Sequence, residues 1–290
     1  MAHNMGFLLG FISALAASAQ NTLYKGLKQE DPFLISWFRF LIALPIVALL
    51  VTLFAEWAIP SFWFWILLFG VSLPLELAII FLNIRAFQES PQSLIGPLFS
   101  LSPLFLLPLG YLFLKEISSF IGFVGIVSII IGPFFLGKKQ KRESLQRRIQ
   151  NIAAERGSRF ILGAAVLAAL GVTLTKILFH YASPLLVTFY GIVALVMGIT
   201  IILFWKGGFS FRAAWLHPSF LGIGALFSIV AATHAIGLSL LPAAYFISVK
   251  RFSLVFDVIL GRVVHHEDNF RERMVGALFM IAGVILIAFG

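Results

Sequence analysis

The sequence predicts an all-α membrane protein, with ten transmembrane helices built as two inverted five-helix repeats. Three observations carry this prediction. The 290 residues are 60% hydrophobic and only 11% charged, whereas an ordinary soluble domain has about 25% charged residues. Mean hydropathy is +1.02, and the apolar residues fall into segments near the roughly 20 residues a helix needs to cross a bilayer. Short motifs also recur at a spacing of 151 residues.

The first span is placed at 5–24. The residues before it, Met1-Ala-His-Asn-Met-Gly, have no basic cluster and no cleavage site, so the segment is expected to be a span and not a signal peptide. Asp31-Pro32 opens the second span, 32–54, because proline starts a helix readily where its missing N–H would be unpaired anyway. Ile59-Pro60 precedes the third, 61–84, and Ser90-Pro91 opens the fourth, 91–114. The fifth is 117–137.

The one long polar stretch follows at 138–159, with eight cations and two carboxylates. Leu145, Ile149 and Ile152 could form the apolar face of a short surface helix; a solvated linker that orients the protein is the simpler expectation. The second half has spans at 160–180, 184–205, 219–241, 242–261 and 273–290. Its domain plan is therefore a first repeat at 1–137, a basic linker at 138–159 and a second repeat at 160–290.

The repeat is visible residue by residue. Pro91-Gln-Ser-Leu-Ile corresponds to Pro242-Ala-Ala-Tyr-Phe, and Leu109-Gly-Tyr-Leu-Phe-Leu-Lys-Glu116 to Leu260-Gly-Arg-Val-Val-His-His-Glu267. Thr22-Leu-Tyr-Lys25 pairs with Thr173-Leu-Thr-Lys176 at the same offset. Five spans per half is an odd number, so the second half enters the membrane in the opposite sense. Transporters with inverted repeats place their site at the repeat interface near midplane.

The span-ending Gly and Glu followed by a Gly-rich helix, once in each half, resembles the drug/metabolite transporter superfamily, and within it the ten-span EamA-type members. The residues that carry the resemblance are Ser102 to Glu116 followed by Gly122, and Lys250 to Gly261 followed by Glu267, Gly276 and Gly283. The resemblance implies a secondary carrier whose two halves rock about a central cavity. It names no substrate, since one fold serves many.

Net charge is +9. Most cations lie in loops, where they set orientation and meet anionic headgroups, so no nucleic-acid partner is expected. The turns after odd-numbered spans hold nearly all of them, and the positive-inside rule then places both termini outside. The resemblance implies termini in the cytosol; a C-terminal reporter fusion decides between the two. The chain has no cysteine, which excludes disulfides, thiolate metal sites and cysteine catalysis. His265-His-Glu-Asp268 lacks metalloprotease spacing, and no nucleophile elbow or phosphate loop occurs. An enzyme, a cofactor and a metal site are therefore not expected.

The residues that stand out are charges inside apolar segments, which cost about 2.5–3.5 kcal/mol each on insertion scales and usually mark a substrate path. Lys250 and Arg251 are adjacent within the ninth span. Arginine can clamp a phosphate or carboxylate at two points, while lysine acts as a point charge. Both could reach one ligand only if the helix borders a cavity or the backbone is irregular there, since neighbours point about 100° apart. The pair resembles the adjacent lysine and arginine that grip substrate phosphate in the plastid phosphate translocators, although its spacing from Pro242 differs. The alternative is snorkelling, or an ion pair with Asp257.

Lys176 and His180 share a helix face in the sixth span and could add charge to an anion pocket. Glu76 and Asn83 share a face of the third span, and Asn83 is the repeat mate of His234. His234 could titrate near neutrality and Glu76 could if buried, either one coupling transport to protons. Tyr245 could line the cavity, and Arg39, beside Trp37, is expected at the membrane interface.

The function expected from these residues is transport of a small anionic metabolite, phosphorylated ones foremost, or of a lipid-linked headgroup. A proton-coupled carrier of amino acids or cations is the alternative, and a non-transporting assembly subunit the alternative of another class. The expected setting is the bacterial inner membrane, with lipids, solute, protons or a counter-substrate, and a possible second copy of the chain as partners.

Overall fold

The computed structural model describes residues 2–24, 27, 31–90, 92–136, 155–207, 218–265 and 270–289. Lys25, most of the basic linker and Glu267 lie outside them. Among the described residues the chain is helical, with no strand. Six helices are long and apolar enough to cross a membrane, and three shorter apolar helices accompany them.

In chain order the helices are α1 (Ala2–Tyr24), α2 (Pro32–Phe54), α3 (residues 62–89), α4 (Gln92–Phe99), α5 (residues 102–114), α6 (Phe120–Leu136), α7 (Arg156–Leu178), α8 (Pro184–Trp205), α9 (Pro218–Leu240), α10 (Ala243–Lys250), α11 (Ser253–His265) and α12 (Phe270–Phe289). Asp31 caps α2, accepting the Phe33 amide at 2.7 Å, with Pro32 as the first helical residue. Within α3 the turns of Ile66–Ser72 widen to π-helix just ahead of Pro74, whose ring would crowd the carbonyl four residues earlier. The last turn of α5 is also π-helical, and it ends at Lys115 with φ +55°, which lets the amides of Lys115 and Glu116 close on the Gly110 carbonyl.

The segments expected as the fourth and ninth spans are each broken in two. The break in the first repeat lies at Ser100-Leu101 and that in the second at Arg251-Phe252, positions 151 residues apart. Leu101 N–H donates to the Leu98 carbonyl and Leu104 N–H to that of Leu101; Phe252 and Val255 make the same bonds to Val249 and Phe252. Pro103 explains the first break, because it removes one ladder donor. Its repeat mate is Leu254, so the second break forms without a proline.

Contacts divide the chain into two compact units, Met1–Leu77 with Leu174–Leu241 and Ala78–Thr173 with Pro242–Gly290. Each unit draws helices from both sequence repeats. In the first, α1 packs on α9 and α2 on α8. Gln20 Nε2 donates to the Ile223 carbonyl, while a Cβ on Gly6 would press on Leu241. Early residues of α1 thus meet late residues of α9, and the helices run antiparallel. Trp37 Nε1 donates to Thr200 Oγ1 at 2.8 Å, and Val51 packs with Leu185 and Leu186 at the opposite end, so α2 and α8 are antiparallel too.

In the second unit α6 packs on α12. Ser128 Oγ donates to the carbonyl of its own repeat mate, Phe279, at 2.7 Å. A Cβ on Gly125 would lie 2.7 Å from the Gly283 carbonyl oxygen, and one on Gly132 would lie 2.7 Å from that of Gly276. Gly276 is the mate of Gly125, and Gly283 the mate of Gly132, so the contact is exchanged between the repeats, as a two-fold relation requires. The unit also packs α7 against the end of α3: Ala86, Ile161 and Ala164 share one buried cluster. There Gly157 abuts Ser90, which are the repeat mates of Gly6 and Leu241.

Candidate functional site

The second unit brings the break of the ninth segment against that of the fourth. Lys250 is the last residue of α10, and Arg251 occupies the break itself, with φ −64° and ψ −13°. The backbone is therefore irregular where the two cations stand. Arg251 Nη2 donates to Ser102 Oγ, and the guanidinium carbon lies 4.4 Å from the centre of the Phe99 ring. Both partners flank Ser100, the repeat mate of Arg251. The guanidinium thus bridges the two breaks. Lys250 and Asp257 are each half-buried. Asp257 lies on α11, beyond the break, so a continuous helical face does not link it to Lys250.

Tyr245, expected in the cavity, is 5% exposed, and its hydroxyl accepts the Ser119 amide at 3.1 Å. A Cβ at Gly122 would overlap that hydroxyl. Ser119 caps α6 by accepting the Gly122 amide at 2.9 Å. Beside it, Glu116 Oε2 accepts the Ala243 amide at 2.7 Å, placing a carboxylate on the unpaired N–H groups that open α10. A groove of about 440 Å³ lies along this joint, lined by Leu107, Tyr111, Glu116 and Phe123 among others; none of the charged candidates lines it. Asn83 also belongs to the second unit, where its amide donates to the Ile79 carbonyl.

The first unit holds the other candidates. Lys176 Nζ donates to the Leu241 carbonyl at 2.6 Å, closing the turn where α9 ends. His180 is exposed, with Nδ1 at 3.2 Å from the Lys176 and Ile177 carbonyls. Glu76 and His234 are half-buried on α3 and α9. Arg39 donates from Nη1 to the Tyr24 hydroxyl at 3.1 Å, with its guanidinium over the rings of Phe40 and Phe227. Trp37 is buried.

Sequence reasoning missed three participants: Ser102 and Phe99 at the site, and Glu116 as a helix cap. The shared 151-residue offset was the available signal, since it pairs Ser100 with Arg251 and points to the residues beside Ser100. Outside the site, Asp31 and Lys206 form an ion pair at 2.8 Å in the first unit. Partial burial pushes the Asp31 carboxyl up, but the Lys206 ammonium and the Phe33 and Leu34 amides outweigh it and hold the carboxyl below its usual range.

The profile of the EamA-like transporter family matches twice, over residues 4–137 and 156–289. The chain belongs to this family. Each match covers one of the two repeats, and EamA-like membership agrees with the apolar helices in making this a multi-pass integral membrane transporter. A solved crystal structure 14% identical in sequence superposes with a TM-score of 0.78, covering 97% of this chain and 95% of that one; at that identity the likeness concerns the fold. No curated protein matches the chain.

Proposed function

We propose that this EamA-like protein is a secondary transporter that moves a small anionic solute, a phosphorylated metabolite foremost, by alternating access. Ten spans in two inverted five-helix repeats form its frame. The antiparallel pairing of α6 with α12, and the exchange of mates between them, supports the inverted arrangement. The bodies that rearrange would be the compact units, because each already joins helices of both repeats.

Arg251 is the observation that carries the anionic reading. Its charge sits mid-segment at a helix break, held by a hydroxyl and an aromatic ring. Discontinuous helices are where secondary transporters commonly bind their ions and substrates. Lys250 adds a second positive charge at the same break, and the setting would be the bacterial inner membrane.

The test is uptake by the full-length protein in proteoliposomes, offering phosphorylated and carboxylate metabolites alongside amines. Anion uptake is expected, falling roughly ten- to a hundredfold in Arg251→Gln, because a charge-assisted contact is worth roughly 1.5–3 kcal/mol. Lys250→Ala is expected to impair uptake as well. Amine uptake with no anion uptake, or wild-type anion uptake by both variants, would overturn the reading.

A further inference from the structure

Two buried hydrogen-bonding atoms at the ninth-segment break have no partner among the described residues, Arg251 Nε and Ser248 Oγ. A buried polar atom left unpaired loses its hydration without return, so native structures rarely keep one idle. Here two occur together. The Arg251 amide donates to the Ile247 and Ser248 carbonyls, so both residues belong to one turn and, three apart, share a face. Ser248 is 0% exposed and Ser102 is 1% exposed.

The surroundings select the direction of approach. The Phe99 ring lies against the guanidinium carbon, and guanidinium donors lie in the plane of the group. Nε–H and one N–H of Nη2 point the same way along one edge, which matches the two oxygens of a carboxylate or phosphate. Nη2 already meets the Ser102 hydroxyl, so that hydroxyl stands at one of the two nitrogens of this edge. Ser248 supplies a further hydroxyl that can donate to an oxyanion. A water molecule would satisfy the hydrogen bonds but would bring no negative charge to the cation.

We propose that Arg251, Ser248 and Ser102 form an oxyanion subsite at this break, which takes one carboxylate or phosphate group of the transported solute. This rests on the anion-transport reading and adds the serines, which determine how the anion is held.

Two measurements test it on the full-length protein. The first is thermal unfolding in detergent with sodium phosphate or sodium acetate, against sodium chloride at equal ionic strength and pH. Either oxyanion is expected to raise the Tm of the wild type above the chloride value, and the one giving the larger shift identifies the preferred group. Ser248→Ala should fold normally, because its hydroxyl has no partner among the described residues to lose, yet need about tenfold more anion for the same shift. Ser102→Ala should behave similarly, and Ser239→Ala, at an exposed hydroxyl of the first unit, should match the wild type.

The second measurement is anion uptake by the same variants in proteoliposomes. An unchanged anion shift and unchanged uptake in Ser248→Ala would overturn the subsite. If Arg251→Gln then still abolished uptake, the transport reading would stand without it. An equal shift from chloride and from both oxyanions would also overturn the subsite, since a simple halide would then suffice. A wild type that binds and moves no anion would overturn both.

Discussion

Tyr245 and Gly122 are fitted to each other so closely that either residue predicts the other. The Tyr245 hydroxyl occupies the space a Cβ at Gly122 would need while accepting the Ser119 amide. Gly122→Ala is therefore expected to cost about 1–3 kcal/mol, the usual range for overpacking, seen as a lower Tm. Tyr245→Phe in the same chain should recover part of that loss, since it removes the clashing oxygen; a double variant no better than Gly122→Ala alone would contradict the fit. At this scale the sequence was informative about charge and silent about partners. Arg251 stood out, together with Lys250, because a cation in an apolar segment is an energetic anomaly. Ser102 did not, because a serine in an apolar segment is ordinary and this one is 149 residues from the arginine it meets.

At the scale of elements, two helix starts were legible from the prolines that mark them. Pro32 and Pro184 begin α2 and α8 where expected, because an N1 proline gives up no hydrogen bond. The broken segments were harder. Pro103 hints at the first break, but Leu254 gives no such sign in the second, where the Phe252 and Val255 amides turn to carbonyls three residues back. The Asp31 cap adds a prediction of its own. A carboxyl held below its usual range stabilises the fold above the unfolded-state value, about pH 3.9 for aspartate, and that stabilisation is lost as pH falls through the lower folded-state value. Asp31→Asn should therefore have a lower Tm than the wild type near neutrality. The gap should close as the pH is taken down toward about 3. It should be modest, since both side chains are 40–47% exposed and water screens such pairs. A gap that persists unchanged at low pH would show that the carboxylate charge is not involved.

At the scale of the whole molecule, the sequence repeats are not the packing units. The α1–α9, α2–α8 and α6–α12 pairs each join one helix from either side of the basic linker. A chain of residues 1–137 alone would lack all three partners. It should insert but remain protease-sensitive, and co-expression with residues 160–290 should restore protection; a protected first half by itself would contradict the interleaved packing. Hydropathy was enough to find the six long apolar helices, because each must separately satisfy the bilayer. The expected five-plus-five plan and the reversal between halves came from counting spans, without any contact.

The sequence by itself therefore determined the membrane setting, the repeat and the cations within apolar segments, since each is a local property of composition, spacing or charge. Only the tertiary structure decided which repeat mates touch, that Arg251 fills a helix break and that Ser102 and Phe99 hold it. Those depend on packing between helices more than a hundred residues apart, where shape selects the partner. The glycines show the difference. Their 151-residue spacing was readable along the chain, but that Gly125 meets the mate of Gly132, and not its own mate, follows from an antiparallel crossing that only folding creates.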